Sequence, residues 1–484
     1  MVDGFIKEVV MKKISIYKIV KFVFFLLGLI ASLVFGICAI ASNYLPTKYV
    51  VLLVGILIVF NLIWGLMLFT RKKVINIIAM ILVLLYSGVL FVGFVYLNKT
   101  INIIKQIVTL NEERVNYLVL SSNSDVYTDI NSLAGTKVGI LQVGSEDLIE
   151  EFNNKVNVEY VKYTSVGDLI YGIQLGEVSA IIISMTMYDL VLEENPDFEF
   201  MVTKLGEFEV VGEPIKIESS IEMGESFIVY LSGLDTRDTS VIWNAGLSDV
   251  NILAVVNPTT HKILLINIPR DYYVQVAGTE GLKDKLTHAG LYGVEASTKT
   301  VENLFDINVN AFVKVNFKVL TTVVDEIDGI DVYSDTGFNS FHLRGWYVKK
   351  GWNHMDGKKA LAYSRERYAY ATGDRHRGQN QQDIITAIIN KISQNKEYLL
   401  KYTDILEAVQ PCISTNIEAT DIQELVKEQI DTLAPWTVES ISVNGTNAYN
   451  YTYSFPKQST YVMIPDQATI DSARARINEV MKES

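Results

Sequence analysis

Three long runs of apolar residues lie at the start of the chain. Residues 22–42, 49–69 and 74–97 contain no charged side chain. A helix of about 20 apolar residues crosses the hydrocarbon core of a bilayer, so each run is long enough to span a membrane. Three successive runs do not fit a signal peptide, which has one short apolar segment. We therefore predict a tail at 1–21 followed by three transmembrane helices within 22–97.

The positively charged residues around these runs predict how the helices are oriented. Five lysines precede the first run, and Arg71, Lys72 and Lys73 separate the second run from the third. Only Lys48 lies between the first and second runs. Because lysine and arginine mark the cytoplasmic side, we expect a cytoplasmic N-terminus and an extracytoplasmic position for everything after the third helix. This placement excludes a cytoplasmic ATP-driven enzyme and leaves no cytoplasmic segment large enough to bind DNA.

Beyond the third run, short apolar strands alternate with amphipathic helices, which is typical of α/β domains. The first such region has strands predicted at 116–121, 137–141 and 180–184, and helices predicted at 146–152 and 165–175. Residues 131–184 weakly resemble one lobe of an extracellular solute-binding domain. We predict a small accessory α/β domain at 98–215, and favour a spacer or docking role for it over the binding of a small ligand.

A second α/β region begins near residue 224. Strands are predicted at 227–232, 249–256 and 262–268, and helices at 294–305, 316–327, 356–364, 376–392 and 466–481. The turn at 257–261 contains Pro258 and predicts an antiparallel hairpin of the second and third strands. We divide this region into a main domain at 224–395 and a C-terminal extension of that domain at 396–484.

Composition narrows the range of functions. The 484 residues are 49% hydrophobic and 20% charged, with a net charge of −13, which argues against nucleic acid as a partner. Two cysteines rule out a disulfide framework. None of the five histidines forms an i, i+4 pair or lies near a cysteine, so no zinc pattern is present. The sequence also lacks a P-loop, an HExxH motif and a G-x-S-x-G motif.

Arginines are concentrated in one short segment. The four that fall within it are Arg365, Arg367, Arg375 and Arg377. Guanidinium groups bind phosphate oxygens in a bidentate fashion, so such a cluster is suited to a phosphate or pyrophosphate. Arg365 and Arg367 would share a face if the segment between them is extended. Arg377 and Gln381 would share a face at the start of a predicted helix, whose N-terminus also favours an anion.

A second interpretation of this segment is a solvated loop in which Glu366 and Asp374 neutralise the arginines. Aromatic residues nearby allow two interpretations as well. Trp346 and Trp352 lie in a glycine-rich loop, GWYVKKGWNHMDG (345–357). They could stack on a sugar, but we favour packing within the loop or the core.

Charged residues also lie at the ends of the predicted strands. Asp235 follows the strand at 227–232, Asp249 begins the next strand, and Arg270 follows the third. Side chains at strand ends commonly line the sites of α/β proteins. Two carboxylates combined with substrate phosphates suit Mg²⁺. The alternatives are that both aspartates simply form turns and that Arg270 pairs with Asp271 or another nearby acid.

Seven blocks in a fixed order carry a family resemblance. They are YLSGLDTR (230–237), SDVNILAVVNP (248–258), ILLINIPRDYYV (263–274), KLTHAGLYG (285–293), VDEIDGIDV (324–332), GWNHMDGKKALAYSRER (351–367) and GDRHRGQNQQDII (373–385). Together they resemble the LytR-CpsA-Psr family of cell-wall glycopolymer ligases. With three membrane helices and an accessory domain, the chain looks like the capsule-associated streptococcal type. The resemblance implies an α/β/α sandwich with a central mixed sheet.

The resemblance also implies an activity. It is a phosphotransferase that moves a glycopolymer, capsular polysaccharide or teichoic acid, from a polyprenyl-pyrophosphate carrier onto a peptidoglycan hydroxyl and releases polyprenyl phosphate. The implied partners are this lipid-linked polymer, peptidoglycan, membrane lipid and capsule assembly proteins, and a tunnel beside the sheet would take the lipid tail. The alternative is a non-catalytic regulator of capsule assembly that binds the same carrier.

The resemblance assigns roles to individual residues. The implied pyrophosphate ligands are Arg270, Arg365, Arg367, Arg377 and Gln381, with Arg375 as a further contact. Asp235 and Asp249 would hold Mg²⁺, and Asp235 or Asp374 would act as general base. Many members read D-x-G-R-x-x-R-Q-Q, whereas this chain has His376 in place of the glycine and Asn380 in place of the second arginine. We therefore expect no cationic role for Asn380 and expect Arg375 to compensate.

Overall fold

The computed structural model describes residues 2–42, 46–108, 113–124, 126–143, 145–212, 218–234, 246–370 and 373–483. The chain folds into two compact units. One unit combines residues Met1–Lys105 with Ala419–Leu433, and the other combines Gln106–Glu418 with Ala434–Ser484.

Three helices form most of the first unit: α1 (Val2–Ala41), α2 (Thr47–Leu68) and α3 (Lys73–Val108). Each contains a stretch that is long and apolar enough to cross a membrane, as predicted. A polar contact joins all three, because Asn61 of α2 donates a hydrogen bond to the Ser32 hydroxyl of α1 at 2.7 Å, and that hydroxyl lies 2.7 Å from the Tyr86 hydroxyl of α3. Such bonds hold helices together where lipid offers no polar partner.

The second unit begins with a five-stranded sheet. Its elements are β1 (Glu113–Ser122), β2 (Lys137–Leu141), α4 (Ser145–Asn153), β3 (Glu159–Tyr163), α5 (Val166–Gln174), β4 (Ala180–Ser184), α6 (Met185–Glu194) and β5 (Val202–Gly212). The strand order is β3-β2-β4-β1-β5, with β1 antiparallel to both of its neighbours. Because side chains alternate along β4, Ile181 packs with α5 and α6, whereas Ile182 packs with α4 on the opposite face.

The larger sheet lies further along the chain. Its strands and the minor strands around it are β6 (Phe227–Leu234), β7 (Ser248–Asn257), β8 (Lys262–Asn267), β9 (Tyr273–Val274), β10 (Asp284–Lys285), β11 (Ala311–Asn316), β12 (Ile330–Ser334), β13 (Phe338–Asn339), β14 (Tyr347–Val348), β15 (Gly351–Met355), β16 (Ile413–Thr415), β17 (Thr437–Ser442), β18 (Gly445–Tyr451) and β19 (Ser459–Pro465). The helices are α7 (Leu286–Ala289), α8 (Gly293–Phe305), α9 (Phe317–Glu326), α10 (Gly357–Ser364), α11 (Asp374–Ser393), α12 (Lys396–Leu400), α13 (Tyr402–Val409), α14 (Ala419–Thr432) and α15 (Gln467–Lys482). Of these elements α14 belongs to the first unit, where its Asp431 forms an ion pair with Lys48 of α2.

The six-stranded sheet has the order β16-β11-β6-β7-β8-β17 and is mixed, because only β11–β6 and β8–β17 are parallel pairs. On one face, Leu253 and Ile266 pack against Phe305 of α8 and Ile477 of α15. On the other face α9 and α11 contact the strands, and Gln382 of α11 donates hydrogen bonds to carbonyl groups of β8 and β17. The predicted α/β/α sandwich and the β7–β8 hairpin are therefore confirmed.

A buried carboxylate ties this domain together. Asp284 of β10 is 1% exposed; its Oδ1 lies 2.7 Å from Nδ1 of His288, and its Oδ2 accepts hydrogen bonds from the N–H and hydroxyl of Ser454, between β18 and β19. Burial alone would raise the pKa of Asp284. The charge of His288 and these hydrogen bonds outweigh that effect, so the pKa lies below its ordinary value.

Replacing Asp284 by alanine is expected to destabilise the second unit strongly. The change leaves the N–H groups and the imidazole without their acceptor, at a cost of about 3 kcal/mol. Thermal unfolding of the detergent-solubilised protein, followed by near-ultraviolet circular dichroism, should show a Tm lower by about 6–12 °C. The exposed Asp471→Ala is the control and should move Tm by about 2 °C or less. Equal Tm values for the two variants would contradict the assigned role.

Candidate active site

Five strand ends meet at one edge of the six-stranded sheet. They are the last residues of β6, β8, β11 and β17 and the first residue of the antiparallel β7: Leu234, Asn267, Asn316, Ser442 and Ser248. The register pairs Leu234 with both Asn316 and Ser248, and pairs Asn267 with Ser442. Asp249 therefore lies at this edge. Asp235 follows Leu234 in the chain but lies outside the described residues.

A cleft at this edge collects several of the predicted site residues. Its polar lining includes Asp249, Asn267, Arg270, Arg375, Arg377, Gln381, Ser442 and Asn444. Helix α11 supplies three of these side chains and approaches β8 closely at Gly378. A Cβ atom at Gly378 would lie 2.2 Å from Nδ2 of Asn267, so the glycine permits this approach. Arg375 donates a hydrogen bond to the carbonyl group of Gly445.

Arg270 is the most constrained cation of the cleft. It is largely buried, and its Nη1 lies 2.7 Å from Oδ1 of Asp249. Its Nη2 lies 3.3 Å from Oε1 of Glu193, and its Nε lies 3.8 Å from Oδ2 of Asp271. Arg270 therefore lines the cleft at the predicted edge and also pairs with acids, while its role as a pyrophosphate ligand stays a prediction. Glu193 belongs to α6, which packs on the five-stranded sheet, here called the accessory sheet. Nothing in the sequence predicted this contact.

Arg365 and Arg367 lie on a loop that is organised by a buried carboxylate. Glu366 between them is fully buried and accepts hydrogen bonds from the backbone N–H groups of Phe341 at 2.8 Å, Tyr368 at 3.0 Å and Ala369 at 3.3 Å. Its carboxylate therefore holds the loop in shape. The interpretation in which Glu366 belongs to a solvated loop is wrong.

The two arginines of this loop are at the same edge but outside the lining of the cleft. Arg365 ends α10 and lies 5.0 Å from the ring of Phe317, which directly follows β11. Arg367 lies 4.9 Å from the ring of Tyr368 and donates a hydrogen bond to its hydroxyl. Since neighbouring strands are about 4.8 Å apart, β11 lies two strands, or about 10 Å, from β7.

Helix α11 joins the cleft to this loop. Gln381 donates a hydrogen bond to the carbonyl group of Ser364, next to Arg365, at 3.4 Å. Asn380 is fully buried and donates to the carbonyl group of Tyr363 at 3.0 Å, which directs it into the domain rather than into the cleft. Asp374 is the first residue of α11, and its side chain lies outside the described part of the chain.

The expected Mg²⁺ ligands are only partly described. Among the residues with a described position, no three His, Cys, Asp or Glu side chains are grouped so as to hold a metal ion. Asp249 is the carboxylate in the described lining of the cleft. Mg²⁺ is often held by one or two carboxylates together with substrate phosphates, so Asp249 fits as a ligand type, although it already binds Arg270.

Lys314 is a candidate residue that the sequence did not reveal. It is 2% exposed, lies in β11 and pairs in register with Ser232, whose hydroxyl is 2.7 Å from that of Ser248. The sequence patterns did not predict β11, so this lysine could not be assigned to the interior of a sheet near the site. Lys314 therefore places a buried side chain two residues from this edge of the sheet, on β11 rather than on the strands that line the cleft.

The sequence of this chain is similar to those of several known proteins. The LytR_cpsA_psr family model matches residues 206–470. A Bacillus licheniformis protein named polyisoprenyl-teichoic acid–peptidoglycan teichoic acid transferase TagU is 35% identical over 206 residues, which are 42% of this chain and 64% of the relative. The protein of the same name from Enterococcus faecalis is 32% identical over 219 residues, 45% of this chain and 70% of the relative. A crystal structure of Bacillus subtilis TagV has 27% identity and a TM-score of 0.45, covering 54% of this chain and all of TagV.

The family match covers more than half of the chain. The chain therefore belongs to the LytR-CpsA-Psr family, as the seven sequence blocks predicted. It spans less than two thirds of the length of the Bacillus licheniformis relative.

Removing the accessory-domain carboxylate from Arg270 should strengthen the binding of phosphate groups in the cleft. In Glu193→Gln the partner at 3.3 Å loses its charge, so less attraction has to be displaced. We expect inorganic pyrophosphate to bind the purified protein about two- to fivefold more tightly, as measured by calorimetry. Glu199→Gln makes the same charge change at another exposed position, between α6 and β5, and should leave the affinity unchanged. Unchanged binding in Glu193→Gln would argue against competition for Arg270.

Proposed function

We propose that this protein is a phosphotransferase that moves a glycopolymer from a polyprenyl-pyrophosphate carrier onto a peptidoglycan hydroxyl group. The observation that carries the proposal is the convergence of Arg270, Arg375 and Arg377 in one cleft, with Gln381 beside them. An acidic protein gains nothing in stability from gathering like charges at one place, whereas a pyrophosphate is the ligand that such a group of guanidinium forks recognises. Family membership supports the same reaction class.

The reaction needs no nucleotide, because the pyrophosphate linkage already carries the energy. A hydroxyl group of the acceptor attacks the phosphorus atom attached to the glycan, and the bond from that phosphorus to the bridging oxygen breaks. The glycan phosphate becomes joined to the acceptor, polyprenyl phosphate leaves, and the hydroxyl proton passes to a carboxylate, Asp235 or Asp374. Phosphoryl transfer depends mainly on positioning and charge neutralisation.

In this proposal, two groups of arginines bind different parts of the pyrophosphate. Arg270, Arg375 and Arg377 hold the pyrophosphate in the cleft, and the charge that develops on the leaving phosphate is stabilised by these fixed donors. Arg365 and Arg367, at the same edge beyond the cleft, contact the phosphate that bears the glycan. Mg²⁺ at Asp249, with Asp235 as second ligand, would further neutralise the phosphate oxygens when bound.

The membrane helices would place this reaction outside the cell membrane. The positive residues around the helices favour a cytoplasmic N-terminus, and a lipid-linked polymer would then be available next to the site. The named relatives act on teichoic acid. We propose capsular polysaccharide as the polymer, on the resemblance of the whole architecture to the capsule-associated type.

A turnover assay by mass spectrometry tests this function. The detergent-purified protein is mixed with a polyprenyl-pyrophosphate oligosaccharide, Mg²⁺ and a short peptidoglycan acceptor. We expect polyprenyl monophosphate and a glycan joined to the acceptor through phosphate. In Arg377→Ala the rate should fall by about 100-fold or more, because one fixed donor to the reacting phosphates is lost. Arg474→Ala, a surface arginine paired with Asp471, is the control and should retain full activity.

The products separate this function from its alternatives. Lipid that binds but stays intact with several acceptors would contradict the transferase and favour a regulator that senses the carrier. Monophosphate without a joined product would indicate hydrolysis. Loss of turnover after chelation of divalent ions, with recovery on adding Mg²⁺, is expected if Asp249 serves as a metal ligand, and full activity in the chelator would contradict that role.

A further inference from the structure

A second cavity lies on another face of α11, away from the arginines. It is a groove between the antiparallel β12–β15 pair and α11, and about 1000 Å³ of empty space lies within it, open to solvent. Its lining consists of Asp331, Val332, Tyr333, Trp352, Asp383, Thr386, Ala387, Asn390, Lys391 and Gln394. Asp383, Ala387, Asn390 and Gln394 recur at the spacing of one helical face, whereas Arg377 and Gln381 lie on a different face.

Two exposed aromatic rings form one wall of the groove. Tyr333 of β12 and Trp352 of β15 are cross-strand partners, and their ring centroids are 5.6 Å apart with the rings nearly perpendicular. Side chains alternate in these strands, so Val332 and Met355 enter the core while both rings face outward. Trp352 is 64% exposed and Tyr333 is 47% exposed. Trp346, by contrast, packs against the core, so only one of the two tryptophans of this loop keeps an open ring.

The helical wall supplies polar groups that are ready to bind a ligand. Within the described part of the chain, no hydrogen bond engages the side chains of Asp383, Asn390 or Gln394. Asp383 is half-buried, and burial together with the charge of Asp335 raises its pKa to about 6. Lys391 is already engaged, because its ammonium group donates hydrogen bonds to the carbonyl groups of Asp328 and Gly329.

The charge of the groove restricts the choice of ligand. Asp331 and Asp383 line it, and the charge of Asp335 also acts on Asp383. Lys391, the lysine in this lining, donates its hydrogen bonds to backbone carbonyl groups. An anionic polymer would be repelled. A neutral sugar chain suits both walls, since aromatic faces pack against C–H groups and the carboxylate and amides bind hydroxyl and acetamido groups.

We propose that the groove lined by Tyr333, Trp352 and Asn390 is a binding site for a neutral carbohydrate chain built of N-acetylhexosamine units. Its use in the reaction rests on the proposed function, in which it would hold the glycan strand of the acceptor near the transfer site. The phosphorylated donor would then bind in the cationic cleft, and the uncharged acceptor strand would bind in the acidic, aromatic groove.

Calorimetry on the full chain tests the groove directly. The protein is purified in a detergent without a sugar headgroup and titrated with chitohexaose, a hexamer of β-1,4-linked N-acetylglucosamine. We expect saturable binding that weakens about tenfold in Trp352→Ala, as for an aromatic anchor, and severalfold in Asn390→Ala. Tyr449→Ala removes another exposed ring, outside the groove, and should bind as the unaltered protein does. Trp352 is exposed, so its replacement should leave Tm unchanged.

The outcomes distinguish this proposal from the proposed function. Absent saturation, equal affinity in Trp352→Ala, or tighter binding of a poly(glycerol phosphate) oligomer than of chitohexaose would overturn the carbohydrate site. Chitohexaose binding that survives Arg377→Ala, alongside pyrophosphate binding that survives Trp352→Ala, would support two separate sites. If chitohexaose binds as expected but the transfer assay yields no joined product, the transferase fails and the carbohydrate site stands.

Discussion

The repulsion among guanidinium groups is the constraint around which this domain is built. Several arginines can share one edge of a sheet only where carboxylates and carbonyl groups offset their charge until a ligand arrives. Arg270 is offset by Asp249 and Glu193, and Arg375 is offset by the carbonyl group of Gly445. Glu366 acts differently, since it organises the backbone that carries Arg365 and Arg367. The edge is thus charged but already arranged, which lowers the cost of binding an anion.

Different parts of the domain stabilise the sheet and carry the polar residues of its edge. The six-stranded sheet is held on one face by α8 and α15, and its carboxyl ends present the polar residues. Helix α11 connects the two cavities, with a glycine where it must approach β8 and polar side chains where it faces solvent. Because both cavities share one rigid helix, their separation is fixed by helix geometry rather than by a flexible loop.

Much of this was predictable from the sequence, for identifiable reasons. The apolar runs, the β7–β8 hairpin and the long helices carry strong periodic signals, and helices α8, α9, α10, α11 and α15 begin and end within two residues of prediction. Strand β11 was missed because its pattern is short and contains Lys314, which reads as a surface residue. The positions of Asp249 and Arg270 at strand ends were predictable from the strand pattern. Glu193 was not, because its contact with Arg270 joins parts of the chain 77 residues apart.

The contact between Glu193 and Arg270 connects the accessory sheet to the cleft. Under the proposed function, a bound pyrophosphate would compete with Glu193 for the guanidinium group of Arg270, and the accessory sheet would then act as an internal ligand of the cleft. By thermodynamic linkage, the factor by which the Glu193–Arg270 contact lowers the affinity for substrate equals the factor by which bound substrate weakens that contact. Two other charged links, Glu194 with Lys285 and Asp168 with Lys457, do not involve the cleft, and the first of them is nearly buried. A ligand in the cleft would therefore break the Glu193–Arg270 contact and leave the Glu194–Lys285 contact in place. The accessory sheet would respond to the ligand while remaining bound to the rest of the domain.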